Sequence, residues 1–287
     1  MSAIYLRASL AAAALALLST ADASAQAAAT GAFAKVPALP TVCYAGNDPF
    51  VARIEAAMNA GQADLDRQKA VNEQIEEQFN NIDPMEMATR MQQWMMSNPQ
   101  EAMRYAQMTQ AVGQETQEDL GGLLAEEQAF GEEKTDLPKR YQSALEQGHA
   151  PSDARRAALF KKIEAAGQCE GMHEGCRMTD ADWAEHDAIQ KQRDAEYQAT
   201  CAQYFGATGQ VPAYLKRYRE WLVAKRIPFG ESGDGARLTQ YAIMNTPAAS
   251  WKSTEAGEQV LKYMGAVESL YRLRDSEPNC TAAGCKR

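Results

Sequence analysis

The sequence predicts an all-α protein: a disulfide-stapled bundle or array of about seven to nine helices, without a substantial sheet. Three observations support this prediction. Apolar residues recur at helical spacing from Val51 onward, and signals that start and end helices follow one another closely. No stretch alternates β-branched with polar residues as a half-buried strand does. The six cysteines are an even number, which can form three disulfides.

The N-terminus has the pattern of an export signal. Arg7 supplies a positive charge, residues 9–18 are an apolar run of mainly Ala and Leu, and Ala23-Ser24-Ala25 is a small-residue cleavage site. The run is shorter than the ~20 apolar residues that a membrane span requires. We therefore expect residues 1–25 to be a signal peptide cleaved near Ala25. The mature protein is then expected to act in the periplasm of a bacterium, or to be secreted, without spanning the membrane.

The mature chain is expected to form three regions. Residues 26–48 are rich in Ala and contain Pro37 and Pro40, which favours a flexible strap. Residues 49–148 form an N-terminal helical region with a methionine-rich hairpin. Residues 149–287 form a C-terminal helical region with most of the cysteines.

A seven-residue repeat of core positions runs from Val51 to Ile82 and predicts one long amphipathic helix. Its apolar seam contains a polar stretch, at Gly61, Gln68 and Asn72. The pattern therefore predicts a helix whose packed face is not apolar throughout.

Helix boundaries are predicted from caps, prolines and glycines. Asp83-Pro84-Met85-Glu86 and Asn98-Pro99-Gln100-Glu101 combine a capping residue, a proline at the first position and an acid at the third. Further along, Thr179 is predicted to start a long helix that Gly206 ends. The other predicted breaks are at Gly121-Gly122, at Gly131, in an exposed acidic linker over 132–137, at Gly148, at Gly167, at Pro228 and in a Gly-rich loop over 229–235.

The cysteines are candidate disulfide residues because an exported protein meets an oxidising compartment. Proximity favours Cys169–Cys176 and Cys280–Cys285, which leaves Cys43 and Cys201 as a long-range pair. Six cysteines allow 15 pairings, so spacing alone does not fix the connectivity. The segment Cys169-x3-His173-x2-Cys176 is alternatively a set of zinc ligands.

The charge distribution excludes some partners. With a formal net charge of −9, the protein is a poor candidate for binding nucleic acid, whose phosphates require a basic surface. Residues 101–136 contain nine acids and two bases, whereas residues 214–226 contain five bases and one acid. These segments are either two solvated helix faces, or they contact each other or a charged partner.

Seven of the thirteen methionines lie between Met85 and Met108. Met87, Met91 and Met95 form a helical stripe beside Trp94, and Met85 and Met96 lie on the opposite side. Such a stripe is typical of a bundle core, of an adaptable surface that binds proteins, or of a thioether site for Cu(I).

Motifs for catalysis are absent: the sequence has no Gly-x-Ser-x-Gly elbow and no His-Glu-x-x-His, and we assign no catalytic residue. The first hypothesis is a non-enzymatic protein, chaperone-like or adaptor-like, that binds another envelope protein through Met87, Met91, Trp94 and Met95. The alternative is a periplasmic Cu(I)-binding protein that uses Met87, Met91 and Met95, with copper as its cofactor. A second alternative is an envelope hydrolase whose site has no recognised motif.

Overall fold

The computed structural model of the protein describes residues 31–40, 49–114, 117–168, 176–244 and 251–275. All regular secondary structure within these ranges is helical, which confirms the predicted all-α class. The division into helices differs from the prediction. A 3-10 helix at Phe33–Lys35 precedes α1 (Phe50–Asn80), α2 (Pro84–Ser97), α3 (Pro99–Gln114), α4 (Gln117–Ala165), α5 (Asp180–Phe205), α6 (Gln210–Trp221), a π-helix (Leu222–Arg226), α7 (Ile227–Gly233), α8 (Gly235–Ala242) and α9 (Glu255–Asp275).

The chain divides into two compact units, and each unit is assembled from three separated segments. The predicted boundary between residues 148 and 149 falls inside α4, so it coincides with no break in the described chain. Unit 1 comprises Met1–Pro37, Ala52–Ala129 and Arg217–Gly265, and unit 2 comprises Ala38–Val51, Phe130–Lys216 and Ala266–Arg287.

Several helix boundaries follow the predicted caps. The carboxylate of Asp83 accepts hydrogen bonds from the backbone N–H groups of Met85 and Glu86 at the start of α2. Thr179 and Asp182 form a reciprocal capping box at the start of α5. Gly167 has a φ of 68°, and its N–H donates to the carbonyl of Glu164 after α4. Side-chain oxygens and a left-handed glycine satisfy backbone groups that a helix end otherwise leaves without partners.

The predicted breaks between residues 121 and 151 are wrong, because α4 runs through all of them with Pro138 and Pro151 inside it. Glycine weakens a helix by about 1 kcal/mol relative to alanine but keeps its N–H group. Leu137, Tyr141 and Leu145 lie at a spacing of four residues and are buried. Burial of this stripe stabilises the helix more than the local residues weaken it, since tertiary packing outweighs propensity.

The prediction that Pro228 ends a helix and opens a loop is also wrong. The π-helix leads directly into α7, where Pro228 occupies the second position. Proline has no backbone N–H group, and in a regular α-helix its ring clashes with the carbonyl group four residues earlier. The wider turn of the π-helix before Pro228 relieves this clash. Of the glycines of 229–235, Gly230 and Gly233 therefore lie in α7, and Gly235 begins α8.

Cys176 is disulfide-bonded, but no disulfide joins two of the residues that the structure describes. Cys176 packs against the buried cluster of Leu159, Ile163 and Ile189 in unit 2, and Cys201 is completely buried in α5. The predicted pairings stay predictions, because each includes a residue outside the described ranges: Cys43, Cys169, Cys280 or Cys285. The predicted signal peptide lies outside these ranges as well.

Candidate functional site

The methionine-rich helices α2 and α3 pack one face onto a hydrophobic cluster of unit 1. Trp94 is 3% exposed, and its ring stacks on Tyr105 of α3 with a centroid distance of 5.9 Å. The cluster also contains Ile75 of α1, and α3 contacts α7 and α8. Burial and a hydrogen bond to Glu101 raise the pKa of Tyr105 to about 12. This face of the hairpin is therefore core.

The predicted methionine stripe is divided between core and surface. Met87 and Met91 are partly buried and pack against the cluster that holds Trp94. Met95, one turn further along α2, is 44% exposed. Of the residues predicted to bind a partner, only Met95 lies mainly at the surface, because the stripe rotates slowly around a helix of 3.6 residues per turn.

Three methionines outside the predicted stripe are more exposed than Met95. Met85 and Met96 of α2 are 81% and 69% exposed, and Met103 of α3 is 53% exposed. Met85 and Met96 are eleven residues apart, about three helical turns, and so share one face of α2. We call Met85, Met95, Met96 and Met103 the methionine surface. Sequence periodicity indicated two faces of α2 but not which one packs on the core.

The surroundings of the methionine surface carry few strong ion pairs. Arg90 and Glu86 of α2 form an i,i+4 pair at 2.6 Å, and both side chains are substantially exposed. Such a pair at the surface contributes about 0.5 kcal/mol or less to a helix. This pair therefore adds little to the stability of α2 beside the exposed methionines.

The acidic and basic segments contact each other in unit 1. Lys225 Nζ lies 2.5 Å from Glu126 Oε1, and the indole N–H of Trp221 donates to Glu126 Oε2 at 2.6 Å. Arg226 lies 3.6 Å from Glu127. The hydrogen bond from Lys225 is the main reason why the pKa of Glu126 lies below its usual value. The structure thus favours mutual contact of the two segments at these residues over two separately solvated faces.

The histidines do not form a catalytic triad in the described part of the chain. In unit 2, His149 Nδ1 lies 3.8 Å from Glu196 Oε2. The hydroxyl of Ser152 is the nearest candidate nucleophile in sequence, but it donates to the backbone carbonyl of His149 and not to the imidazole. His186 packs edge-on against Trp183. A nucleophile requires a base within hydrogen-bond reach, and this arrangement does not supply one.

Comparisons with known proteins give no relative. No family model matches the chain, and neither does any curated protein or solved structure.

Two further findings bear on ligands and membranes. No group of three or more His, Cys, Asp or Glu side chains that could hold a metal ion occurs among the described residues. Within the same ranges, no helix combines the length and the apolar character that a bilayer-spanning segment requires. The zinc alternative at Cys169, His173 and Cys176 falls almost entirely outside these ranges.

Proposed function

We propose that the mature protein is an exported, non-enzymatic, chaperone-like or adaptor-like protein that binds another envelope protein through the methionine surface. The observation that carries this proposal is the exposure of Met85, Met96 and Met103 on a helix pair whose other face is a packed core. Exposed apolar side chains grouped on one element are typical of interaction sites on soluble proteins.

The residue type favours an adaptable partner surface. Methionine is unbranched and polarisable, so it can fit different apolar shapes at little strain, and surfaces rich in methionine bind varied partners. Four of the large apolar side chains that are exposed in the described residues are methionines of α2 and α3. The rigid core beneath them, with Trp94 stacked on Tyr105, holds the two helices in place.

The test is aggregation of an unfolded envelope protein. A urea-unfolded outer-membrane β-barrel protein is diluted into buffer with purified mature protein, and light scattering is followed. We expect equimolar mature protein to suppress scattering. The combined variant Met85→Gln, Met96→Gln, Met103→Gln should lose most of this suppression, because glutamine keeps the helix propensity and side-chain length but removes the apolar surface.

A matched leucine variant separates the effect of losing apolar surface from the effect of losing the methionine side chains themselves. Met85→Leu, Met96→Leu, Met103→Leu keeps the apolar surface and should retain suppression of aggregation. Substitution of exposed residues changes stability by about 0.5 kcal/mol or less, so both triple variants should unfold at the parental temperature. Parental suppression by the glutamine variant, or no suppression by the mature protein, would contradict the proposal.

The copper alternative is decided by a second leucine variant. Met87→Leu, Met91→Leu, Met95→Leu removes the thioethers of the predicted Cu(I) site and keeps their volume. If the alternative holds, this variant loses Cu(I) binding that the parental protein shows. Equal Cu(I) affinity of the two proteins would exclude that site.

A further inference from the structure

Unit 1 contains an apolar cleft of about 420 Å³ between the 3-10 helix, α1 and the first half of α9. Ala57 and Leu65 of α1 face Val260, Leu261 and Met264 of α9 across it. Its volume lies within the range of roughly 300–1,000 Å³ that is usual for small-molecule sites. The cleft has no residue in common with the methionine surface.

Two glycines line the cleft, Gly61 in the interior of α1 and Gly257 in the first turn of α9. A Cβ atom on Gly61 would lie 3.1 Å from Leu261 Cδ2, and one on Gly257 would lie 3.4 Å from Leu65 Cδ1. Glycine costs about 1 kcal/mol relative to alanine in a helix interior. α1 bears this cost at Gly61, and at both glycines a leucine of the facing helix packs where a side chain would begin.

The third wall of the cleft is the 3-10 helix, which is anchored to the rest of unit 1. Phe33 is buried, and its ring packs edge-on against Tyr263 of α9 at a centroid distance of 5.3 Å. The guanidinium of Arg219 lies 5.1 Å from the same ring. Part of the predicted strap thus has a fixed position, and it places Lys35 at the cleft.

The charged residues that line the cleft are Lys35 and Asp64. Lys35 Nζ lies 2.8 Å from Asp64 Oδ2, and Arg67, which does not line the cleft, also pairs with Asp64. Asp64 is therefore shared by two cations. An ammonium group has three N–H donors, and Asp64 takes one of those on Lys35. An anionic group beside Lys35 would therefore meet its remaining donors.

We propose that this cleft binds a medium-chain alkyl carboxylate, with the chain between α1 and α9 and the carboxylate at Lys35. The apolar walls match the alkyl chain, and the remaining N–H donors of Lys35, which shares Asp64 with Arg67, favour the carboxylate over a neutral or cationic head group. This is an activity in addition to the binding of a protein partner, and it uses different residues.

The test is calorimetric titration of the mature protein with decanoate, decanol and decyltrimethylammonium, each below the concentration at which it forms micelles. We expect decanoate to bind about fivefold more tightly than decanol, as one exposed ionic contact gives, and the ammonium compound to bind least. No binding of decanoate, or equal binding of all three compounds, would overturn the proposal.

Two variants locate the site. Gly257→Leu fills the cleft at a position where a Cβ meets only Leu65, and it should abolish decanoate binding. Lys35→Gln should remove the preference for decanoate over decanol, whereas Lys69→Gln should not, because Lys69 pairs with Glu258 and does not line the cleft.

A filling variant that does not fold would be uninformative by itself, so Ala57→Leu serves as a second one. Circular dichroism and thermal unfolding identify the variants that retain the fold. Parental decanoate affinity in a folded Gly257→Leu or Ala57→Leu protein places the binding elsewhere and overturns the proposal. A folded Lys35→Gln protein that still prefers decanoate does the same.

Discussion

The methionine surface and the apolar cleft are both apolar regions of unit 1, but they are built in opposite ways. The surface consists of long, flexible side chains that project from α2 and α3. The cleft is a recess between α1 and α9 whose walls include Gly61, Gly257 and the leucines packed against them. A projecting surface suits a large partner of variable shape, whereas a recess suits a small ligand of defined length.

The largest expected effect tests whether the hairpin has one packed face and one free face. Trp94→Ala removes a buried ring stacked on Tyr105, and it should lower the free energy of unfolding by about 3–5 kcal/mol. Met96→Ala, on the exposed side of the same helix, should lower it by less than about 0.5 kcal/mol. Urea unfolding of both variants measures the difference. Similar losses would mean that the methionine surface is also packed.

The next effect concerns the polar stretch of α1. Asn72 is 6% exposed, and its amide donates to the backbone carbonyl of Lys252 at 2.9 Å, just before α9. Asn72→Ala leaves that carbonyl without this donor and should cost about 1–3 kcal/mol. The segment that leads into α9 should loosen, so decanoate affinity should fall while suppression of aggregation stays unchanged. A loss of the suppression of aggregation instead would show that the methionine surface and the cleft are energetically coupled.

A reference variant in unit 2 separates stability from binding. Hydrogen bonds from Thr179 and then Lys162 lower the pKa of Asp182 from 3.8 to about 2. Because the pKa is lower in the folded state, its contribution is complete above about pH 4 and is lost as the pH falls towards 2. Between pH 4 and pH 2, the urea midpoint of Asp182→Asn should therefore fall less than the midpoint of the parental protein. Both binding activities should stay parental at pH 7; a change in either would show that they report on global stability.

The smallest expected effect compares the two cleft glycines. Gly257→Ala places a Cβ in ordinary contact with Leu65 and should stabilise the protein by less than about 1 kcal/mol, because Gly257 lies in the first turn of α9. Gly61→Ala brings a Cβ to 3.1 Å from Leu261, so the gain in helix propensity is offset by crowding. Thermal unfolding should rank Gly257→Ala above Gly61→Ala. The reverse order would mean that Leu261 moves away from a Cβ on Gly61 at little cost.

The sequence predicted the helical class and those helix ends that depend on local chemistry. Asp83 and Thr179 cap helices as expected, because a side-chain oxygen meets backbone N–H groups only two or three residues away. The continuity of α4 was missed, since it depends on the burial of Leu137, Tyr141 and Leu145 and not on the glycines and prolines themselves. Glycine and proline lower the local stability of a helix, but the tertiary contacts of a buried stripe can outweigh that loss.

The candidate sites were predictable only in part. The methionine stripe indicated the right hairpin, but the choice of buried face depends on which helices pack against α2 and α3, and periodicity does not specify that. The cleft did leave a signal in the sequence. The polar stretch in the repeat of α1 comprises Gly61 and Gln68, which line the cleft, and Asn72, which bonds the segment before α9.

The contact between Phe33 and Tyr263 also sets an order of events during synthesis. The two residues are 230 positions apart in the chain. At about 5–20 residues per second, a ribosome needs roughly 10 to 50 s to make the second after the first. For most of that interval, α1 is complete but α9 does not yet exist. The recess beside Lys35 is therefore among the last parts of unit 1 to form.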